Sequence, residues 1–402
     1  MNIFSPLLII PKLISQPTWG GSRILEFQNW EKHFEGREIK IGQSYQLYGN
    51  SKFSTVATDT TSPEFIPEVG GPDGPQEHPD FTLDPSTYSS LDTVMQDSPE
   101  DVVGPFVWKK FGKMPLLNKL NDSSGNSFQL HIRPGQKHER WVSKAESWYY
   151  LDDGIATYGL NPETDIDVYK EVCKKVEQKM HDLSRAVISG RRSLKIARDD
   201  AKAFIKDLNP LQYVNRHVVK KHELLDLSSG GVHHSWEADE KGSIKSNFLY
   251  EVQQDVMDPV CTVRSFDQGK IKEDGSIREI HIDDYFELID KDPSHNDVSF
   301  ALKPVENNNN SLINSLLKTE NYSIDLIEIK EDESFEDEIK DSFVHLFVRD
   351  GDVVVSTKSG EVRITQGHSA FIPYATGSYN LKSKTSVSAV IKTYIENSDT
   401  RI

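Results

Sequence analysis

The stretch QLHIRPGQKHERWVSKAESWYYLDDG, residues 129–154, decides how this chain is read. It opens on Gln129 and His131, two positions apart, and Glu146 follows fifteen residues after the histidine. In a strand, residues i and i+2 face the same side. The alternation in FQLHI therefore puts Gln129 and His131 on one face and points Phe128 and Leu130 into a core. In AESWYY, Glu146 shares its face with Trp148 and Tyr150. Strands over 126–134 and 144–151, paired across one barrel, bring Glu146 to Gln129 and His131. Imidazole nitrogen, carboxylate oxygen and amide oxygen together suit a borderline divalent ion such as Zn²⁺. A fourth ligand belongs on another strand, and SSGGVHHSW offers His233 after a Gly-Gly turn. Singly, each histidine reads as a structural or exposed residue; the joint arrangement points to a metal.

Working outward, most of the chain carries strand patterns. LLII near the start reads as an early strand broken by Pro11, since it lacks the basic segment and cleavage site of a signal peptide. Residues 61–90 are rich in Pro, Gly and Asp and read as a long irregular loop; 91–112 read as short helices. MPLLNKL (114–120) is an apolar strand whose single internal charge is Lys119. From 163 to 209 the period changes. Ile166, Val168, Val172, Val176 and Met180 recur at helical spacing, Gly190 separates two helices, and Pro210 ends the second. Short strands resume to about residue 290. A polar linker over 303–321, with the tract Asn307 to Asn310, marks a domain boundary before a strand-rich unit over 322–402 that suggests a sandwich or barrel.

Composition bounds the class. With 402 residues the chain exceeds what one core usually serves, so two or three domains are expected. Hydrophobic residues make up 36% and charged residues 27%, as in soluble proteins, and no run of eighteen apolar residues offers a membrane span. The two cysteines, Cys173 and Cys261, support neither a disulfide framework nor a cysteine-rich zinc knuckle, so a reducing, cytoplasmic setting is expected. A net charge of -17 argues against nonspecific nucleic-acid binding. It leaves room for a small phosphorylated substrate, for which one local Lys/Arg cluster suffices.

Several segments together resemble one family. QLH followed by KAESWYYLDDG is similar to the Gln-x-His and Lys-x-Glu-x-Trp-Tyr segments of type I mannose-6-phosphate isomerases. PTWGG (17–21), IGQSYQL (41–47), FGKMPLLNKLND (111–122), GGVHHSW, LYEVQQDVMDPVCTVRSFD (249–267), REIHIDDYFELID (278–290) and GDVVVST…GHSAFIPYATGSYNL follow in the family's order. The resemblance spans nearly the whole chain except 50–90 and 163–210, and the collinearity is its strength. It implies a mainly β fold of two cupin-type β-barrels, or jelly rolls, with an inserted helical region. The catalytic cupin is then 1–162 with 210–302, the insertion 163–209, and the degenerate second cupin 322–402. It implies one zinc ion per chain held by Gln129, His131, Glu146 and His233, with His234 as an alternative. Arg264 takes the place of the active-site arginine, and Lys119, Lys144 and Glu251 fall on pocket positions.

The implied activity is interconversion of mannose 6-phosphate and fructose 6-phosphate through a cis-enediol. The metal stabilises developing charge, and a general base carries the proton, for which Glu251 and Lys144 are the candidates. Arg264 suits an enediolate or phosphate through its bidentate fork, and Lys119 and Lys144 add positive charge. A monomer or homodimer is expected. The bland readings are a Lys119 that snorkels out of its strand, a Glu251 that partners Arg264, and an Arg264 in a cross-strand ion pair. His281 is expected to cap or pack at a helix start. His345 and His368 lack a Glu or Gln at cupin spacing, so the second barrel is read as a cover without a metal. The departures lie at HIRPGQKHER, where Ile132 and Arg133 precede the proline, at GQSYQ, where Gln43 and Gln46 stand for carboxylates, and at the charged stretch after His233. They leave open an isomerase of another sugar, phosphorylated or not, or a non-catalytic sugar-binding double cupin.

Overall fold

The computed structural model describes residues 1–16, 19–71, 76–123, 127–235, 244, 246–303, 312–331 and 333–397. Pro17 and Thr18 of PTWGG, most of the charged stretch after His233, and the tract Asn307 to Asn310 lie outside the described residues. The chain divides into two compact units, one of Ser123–Phe248 with Val256–Leu302 and one of Met1–Asp122, Leu249–Asp255 and Lys303–Ile402.

The first of these carries the stretch quoted above. Its main sheet has five antiparallel strands in the order Val214–Val219, Gly154–Leu160, Gly231–Ser235, Phe128–His131, Val263–Phe266. A second ladder pairs Glu146–Tyr150 with Leu224–Asp226. The helices expected over 163–209 are Ile166–Ile188 and Leu194–Leu208. Asp165 caps the first by accepting from the Asp167 and Val168 amides, and Ser193 caps the second by accepting from Ile196. Asn209, at φ +45°, turns the chain out of the helix before Pro210.

These helices decide which way the sheet faces. Tyr169, Cys173, Val176, Met180, Ala197 and Ala201 pack in one core with Phe128, Leu130, Val232, Val263 and Phe266. Val168, placed in the apolar series by spacing, is instead 49% exposed, because the buried stripe runs through Tyr169, Val172, Cys173 and Val176. With Phe128 and Leu130 committed to the helices, the pleat turns Gln129 and His131 to the opposite face. No helix among the described residues is long and apolar enough to cross a membrane.

The second unit holds the jelly-roll sheets. An eight-stranded sheet runs Ile313–Lys318, Ser323–Lys330, Val387–Tyr394, Val344–Asp350, Ser369–Ile372, Leu7–Ile10, Lys52–Ser54, Tyr88–Ser90. A four-stranded sheet, Ser334–Glu338, Ser378–Ser383, Asp352–Thr357, Gly360–Thr365, accompanies it, and among the described residues neither sheet closes into a barrel. The protein is thus mainly β and of cupin type, with open sheets. Residues 313–318, read as linker, form the edge strand of the larger sheet, and strands Glu68–Gly70 and Tyr88–Ser90 lie within the supposed loop 61–90. Their pairing comes from distant partners, which local composition does not report. Another ladder in this unit joins Lys12–Ser15, Ile41–Leu47 and Leu116–Ser123.

His345 and His368 are buried in this unit. His345 Nδ1 lies 3.0 Å from Asn118 Nδ2 and 3.1 Å from the Tyr250 hydroxyl, while His368 Nδ1 lies 3.0 Å from the Gln366 carbonyl. Burial pushes His345 down to about 3 and His368 to about 4. Unfolded histidines titrate near 6.5, so below that pH the unfolded chain binds protons that the folded chain refuses. Stability is therefore full above pH 6.5 and declines as the pH falls toward 4. At pH 5 each histidine should account for a loss of about 2 kcal/mol relative to neutral pH. Urea denaturation at pH 7 and 5 measures this, and His368→Gln should reduce the loss between the two by about 2 kcal/mol.

Candidate metal centre

Four side chains converge on the inner face of the five-stranded sheet. His233 lies in register with Gln129, and Gln129 with Arg264 on its other side, so the three form a row across adjacent strands. His131 stands one pleat further along the strand of Gln129. Glu146 reaches the same place from the second ladder, where its neighbour Trp148 meets His233 edge-on at 5.6 Å. Gly230 and Gly231 make the turn that places His233. Gly230 has φ +71°, and a Cβ there would lie 2.6 Å from the His131 carbonyl oxygen.

The distances define a coordination pocket. Nε2 of His131 lies 3.2 Å from Glu146 Oε2, and Nε2 of His233 lies 3.1 Å from Glu146 Oε1. One ligand atom from each of these three buried residues falls within 4.8 Å of the others. The Gln129 amide group lies 3.1 Å from His233 Nε2. Each imidazole is oriented from behind. His131 Nδ1 donates to the Cys261 carbonyl at 2.7 Å, and His233 Nδ1 to the Gly231 carbonyl at 2.9 Å. Burial lowers the pKa of His131, so its neutral ring keeps one proton, on Nδ1. Its Nε2 then presents a lone pair, as the backing hydrogen bond on metal-binding histidines ensures. Two lone pairs facing one carboxylate repel unless a cation lies among them.

That donor set fits a zinc ion. Tetrahedral zinc with bonds near 2.0–2.1 Å separates its ligand atoms by about 3.3 Å, close to the 3.1 and 3.2 Å found here. With its amide turned to present oxygen, Gln129 completes a fourth position. Lys144 Nζ lies 2.6 Å from Glu146 Oε2. Burial works to raise the Glu146 carboxyl, but Lys144 and His131 override it and hold the group well below the usual carboxylate range.

The remaining sequence candidates sort by unit and face. Arg264 is buried beside Gln129; it donates to Ser127 Oγ at 3.0 Å and to the Thr262 carbonyl at 3.4 Å, and its Nη2 pairs with Asp258. Arg264 does form an ion pair, but with Asp258 on the short helix six residues upstream and not across a strand. His234 faces away from the metal candidates. It stacks on Phe128 at 4.2 Å and meets Gln268 at 2.6 Å, because adjacent strand residues alternate faces. His281 occupies the first position before helix Ile282–Leu288 without a capping hydrogen bond, and packs on Trp141 at 4.7 Å. Lys119 and Glu251 belong to the other unit, where they pair at 3.4 Å. Lys119 is buried there rather than snorkelling outward. Asn121 donates to Glu251 at 2.7 Å and receives a bond from Gln43 at 2.9 Å. Glu251 therefore partners Lys119 and Asn121.

Sequence reasoning missed the segment Asp258–Cys261. This short helix supplies the Asp258 carboxylate to Arg264 and the Cys261 carbonyl to His131. The dipeptide Asp258-Pro259 is a helix-start signal, but nothing in it names those two partners.

Comparison with known proteins agrees with the resemblance. Residues 313–392 match the family model "Mannose-6-phosphate isomerase, cupin domain". No curated protein matched the chain by sequence. Among solved structures, the mannose 6-phosphate isomerase of Bacillus subtilis superposes with a TM-score of 0.63 at 15% identity, covering 97% of this chain and 100% of that one. A variant phosphomannose isomerase from Salmonella typhimurium gives 0.63 at 12% identity over 98% and 100%. A zinc-bound mannose 6-phosphate isomerase gives 0.62 at 13% identity, again over 98% and 100%. The chain accordingly has the phosphomannose isomerase fold, and its residues 313–392 match the model of that family's cupin domain.

Proposed function

We propose that this protein is a zinc-dependent aldose–ketose isomerase that interconverts mannose 6-phosphate and fructose 6-phosphate. The observation that carries the reading is the buried convergence of His131, Glu146 and His233 with Gln129, next to Arg264 in register. A bound zinc ion supplies Lewis-acid stabilisation of charge developing on a sugar oxygen. The chain's own residues do the rest. Glu146 and the two backed imidazoles fix the ion, and Lys144 balances the carboxylate. Arg264, held by Ser127, the Thr262 carbonyl and Asp258, offers a preorganised fork to an enediolate or phosphate oxygen. Passage of a proton between C1 and C2 requires a base, for which the candidates are Lys144 and Glu251. The Glu251 carboxylate is held by Asn121 and Lys119, which limits its rotamers.

A second reading, an isomerase of another sugar, is favoured by one feature. Gln43 and Gln46 stand where the family carries carboxylates, and Gln43 is bonded into the chain of contacts that ends on Glu251. A coupled assay with zinc-loaded protein, run on free and phosphorylated hexoses, separates the readings. Mannose 6-phosphate should exceed mannose in kcat/KM by at least about 100-fold if two or three charged contacts hold the phosphate. Equal values for the two sugars sink the phosphorylated substrate, and metal-loaded protein that turns over neither sinks the isomerase.

A further inference from the structure

The unit that carries the metal candidates also holds a cavity of about 210 Å³ that none of them lines. Residues of the edge strand Val214–Val219, of the start of helix Ile166–Ile188 and of the short helices Pro293–Asn296 and Val298–Ala301 form its wall. On the edge strand the pleat exposes Arg216 and Val218 and turns Asn215 and His217 to the cavity.

Three acceptor atoms along this wall have no donor among the described residues. The first, His217 Nε2, is buried without a hydrogen-bond partner. Burial lowers the pKa of this ring, against a hydrogen bond to the Tyr158 backbone that raises it. At neutral pH the ring therefore keeps one proton, on Nδ1, and Nε2 carries a lone pair. The second is the Asn215 oxygen. Asn215 Nδ2 donates to the Leu160 carbonyl at 2.7 Å and to the Asn296 carbonyl at 3.1 Å, which fixes the amide's orientation. The third is on Asp297, whose Oδ1 accepts from the Ser299 amide at 2.8 Å and from its hydroxyl, leaving Oδ2. Asp297 is close enough to His217 for each to act on the other's titration. A single water could satisfy Nε2, but it would use neither the Asp297 charge nor the rest of the wall. That rest is one cation and an apolar surface. Lys291 is exposed and has no partner among the described residues, and Leu160, Ile166 and Val298 supply the apolar part.

We propose that this cavity binds a small aliphatic α-amino acid as its zwitterion. An ammonium has three N–H donors, which match His217 Nε2, Asn215 Oδ1 and Asp297 Oδ2. The carboxylate meets Lys291, and the aliphatic side chain rests on Leu160, Ile166 and Val298. One acid and one base in the wall thus face one charge of each sign on the ligand. The volume lies below the roughly 300–1,000 Å³ of sites for drug-sized ligands, in keeping with so small a molecule. None of the metal ligands, nor Arg264, takes part, so this site stands or falls apart from the isomerase reading.

Saturation-transfer difference NMR on the full-length, zinc-loaded protein tests this, with L-valine, isobutylamine and isobutyrate as probes. Valine should bind saturably, with its methyl protons saturated most strongly. Isobutylamine and isobutyrate each lack one charged end and should bind at least about tenfold more weakly. His217→Phe removes the buried acceptor and leaves an apolar ring in its place. It should weaken valine by about tenfold or more while zinc content and thermal unfolding stay as in the wild type. Lys291→Met, at an exposed position the fold does not depend on, should weaken valine by about threefold and leave isobutylamine unchanged. The absence of saturable valine binding overturns the proposal. So does isobutylamine binding as tightly as valine, or valine binding undiminished in folded His217→Phe.

Discussion

Glu146→Gln is expected to strip the metal from the protein and to lower kcat by about 10³-fold or more, since Lewis-acid stabilisation is worth several kcal/mol. The substitution keeps the side chain's shape and removes its charge. Both imidazoles face Glu146, through Oε2 to His131 and Oε1 to His233. Without its charge, two neutral nitrogens and two neutral amides remain, a poor match for a divalent ion. The change also leaves Lys144 buried beside an uncharged amide, so positive charge repels the ion from the same spot. Elemental analysis gives the first readout, with about one zinc per chain in the wild type and near none in the variant. Thermal unfolding gives the second. A ligand at a thousand times its dissociation constant adds about 4 kcal/mol to the folded state, so a chelator should lower the Tm of the wild type and barely move that of the variant. A variant that keeps stoichiometric zinc would falsify the placement of Glu146 in the coordination shell.

Arg264→Ala is expected to reduce kcat/KM by about 10²–10³-fold, the usual cost of losing one preorganised donor to developing negative charge. Unlike the first variant, it should retain its zinc, because no Arg264 atom lies among the ligands; this separates the two roles. Arg264→Lys keeps a positive charge but cannot span Ser127, the Thr262 carbonyl and Asp258 at once. It should recover only part of the loss, about tenfold. Asp258→Asn carries a related expectation. Burial raises the Asp258 carboxyl, but the Arg264 guanidinium overrides this and holds it low, so the pair is charged at neutral pH. Neutralising Asp258 frees the guanidinium for substrate and should lower KM for a phosphorylated sugar. Full activity in metal-loaded Arg264→Ala would remove the arginine from the mechanism.

Local patterns carried the metal ligands because a strand's two-residue period is a property of the backbone alone. Gln129 and His131 share a face whatever the rest of the chain does, and FQLHI announces which face is apolar. The same rule excludes His234, which an adjacent position could not rescue. The helices of 163–209 were legible for a similar reason, from the apolar spacing of Ile166 to Met180, the break at Gly190 and the stop at Pro210. The exposure of Val168 was not, because spacing alone fixes a stripe only to within one neighbouring position.

What the chain could not state locally was partnership across distance. The edge strand at 313–318 sits in polar sequence and is made a strand by its ladder with Ser323–Lys330. The Cys261 carbonyl behind His131 is a backbone atom, so no side-chain identity marks it 130 residues away. Asp258 pairs with Arg264 only because a one-turn helix folds it back. Period and residue chemistry thus set the inward face and the ligand types in sequence. Only the tertiary structure brought Glu146 from a second ladder to the two imidazoles, because a coordination shell is closed by chain segments whose separation no local pattern encodes.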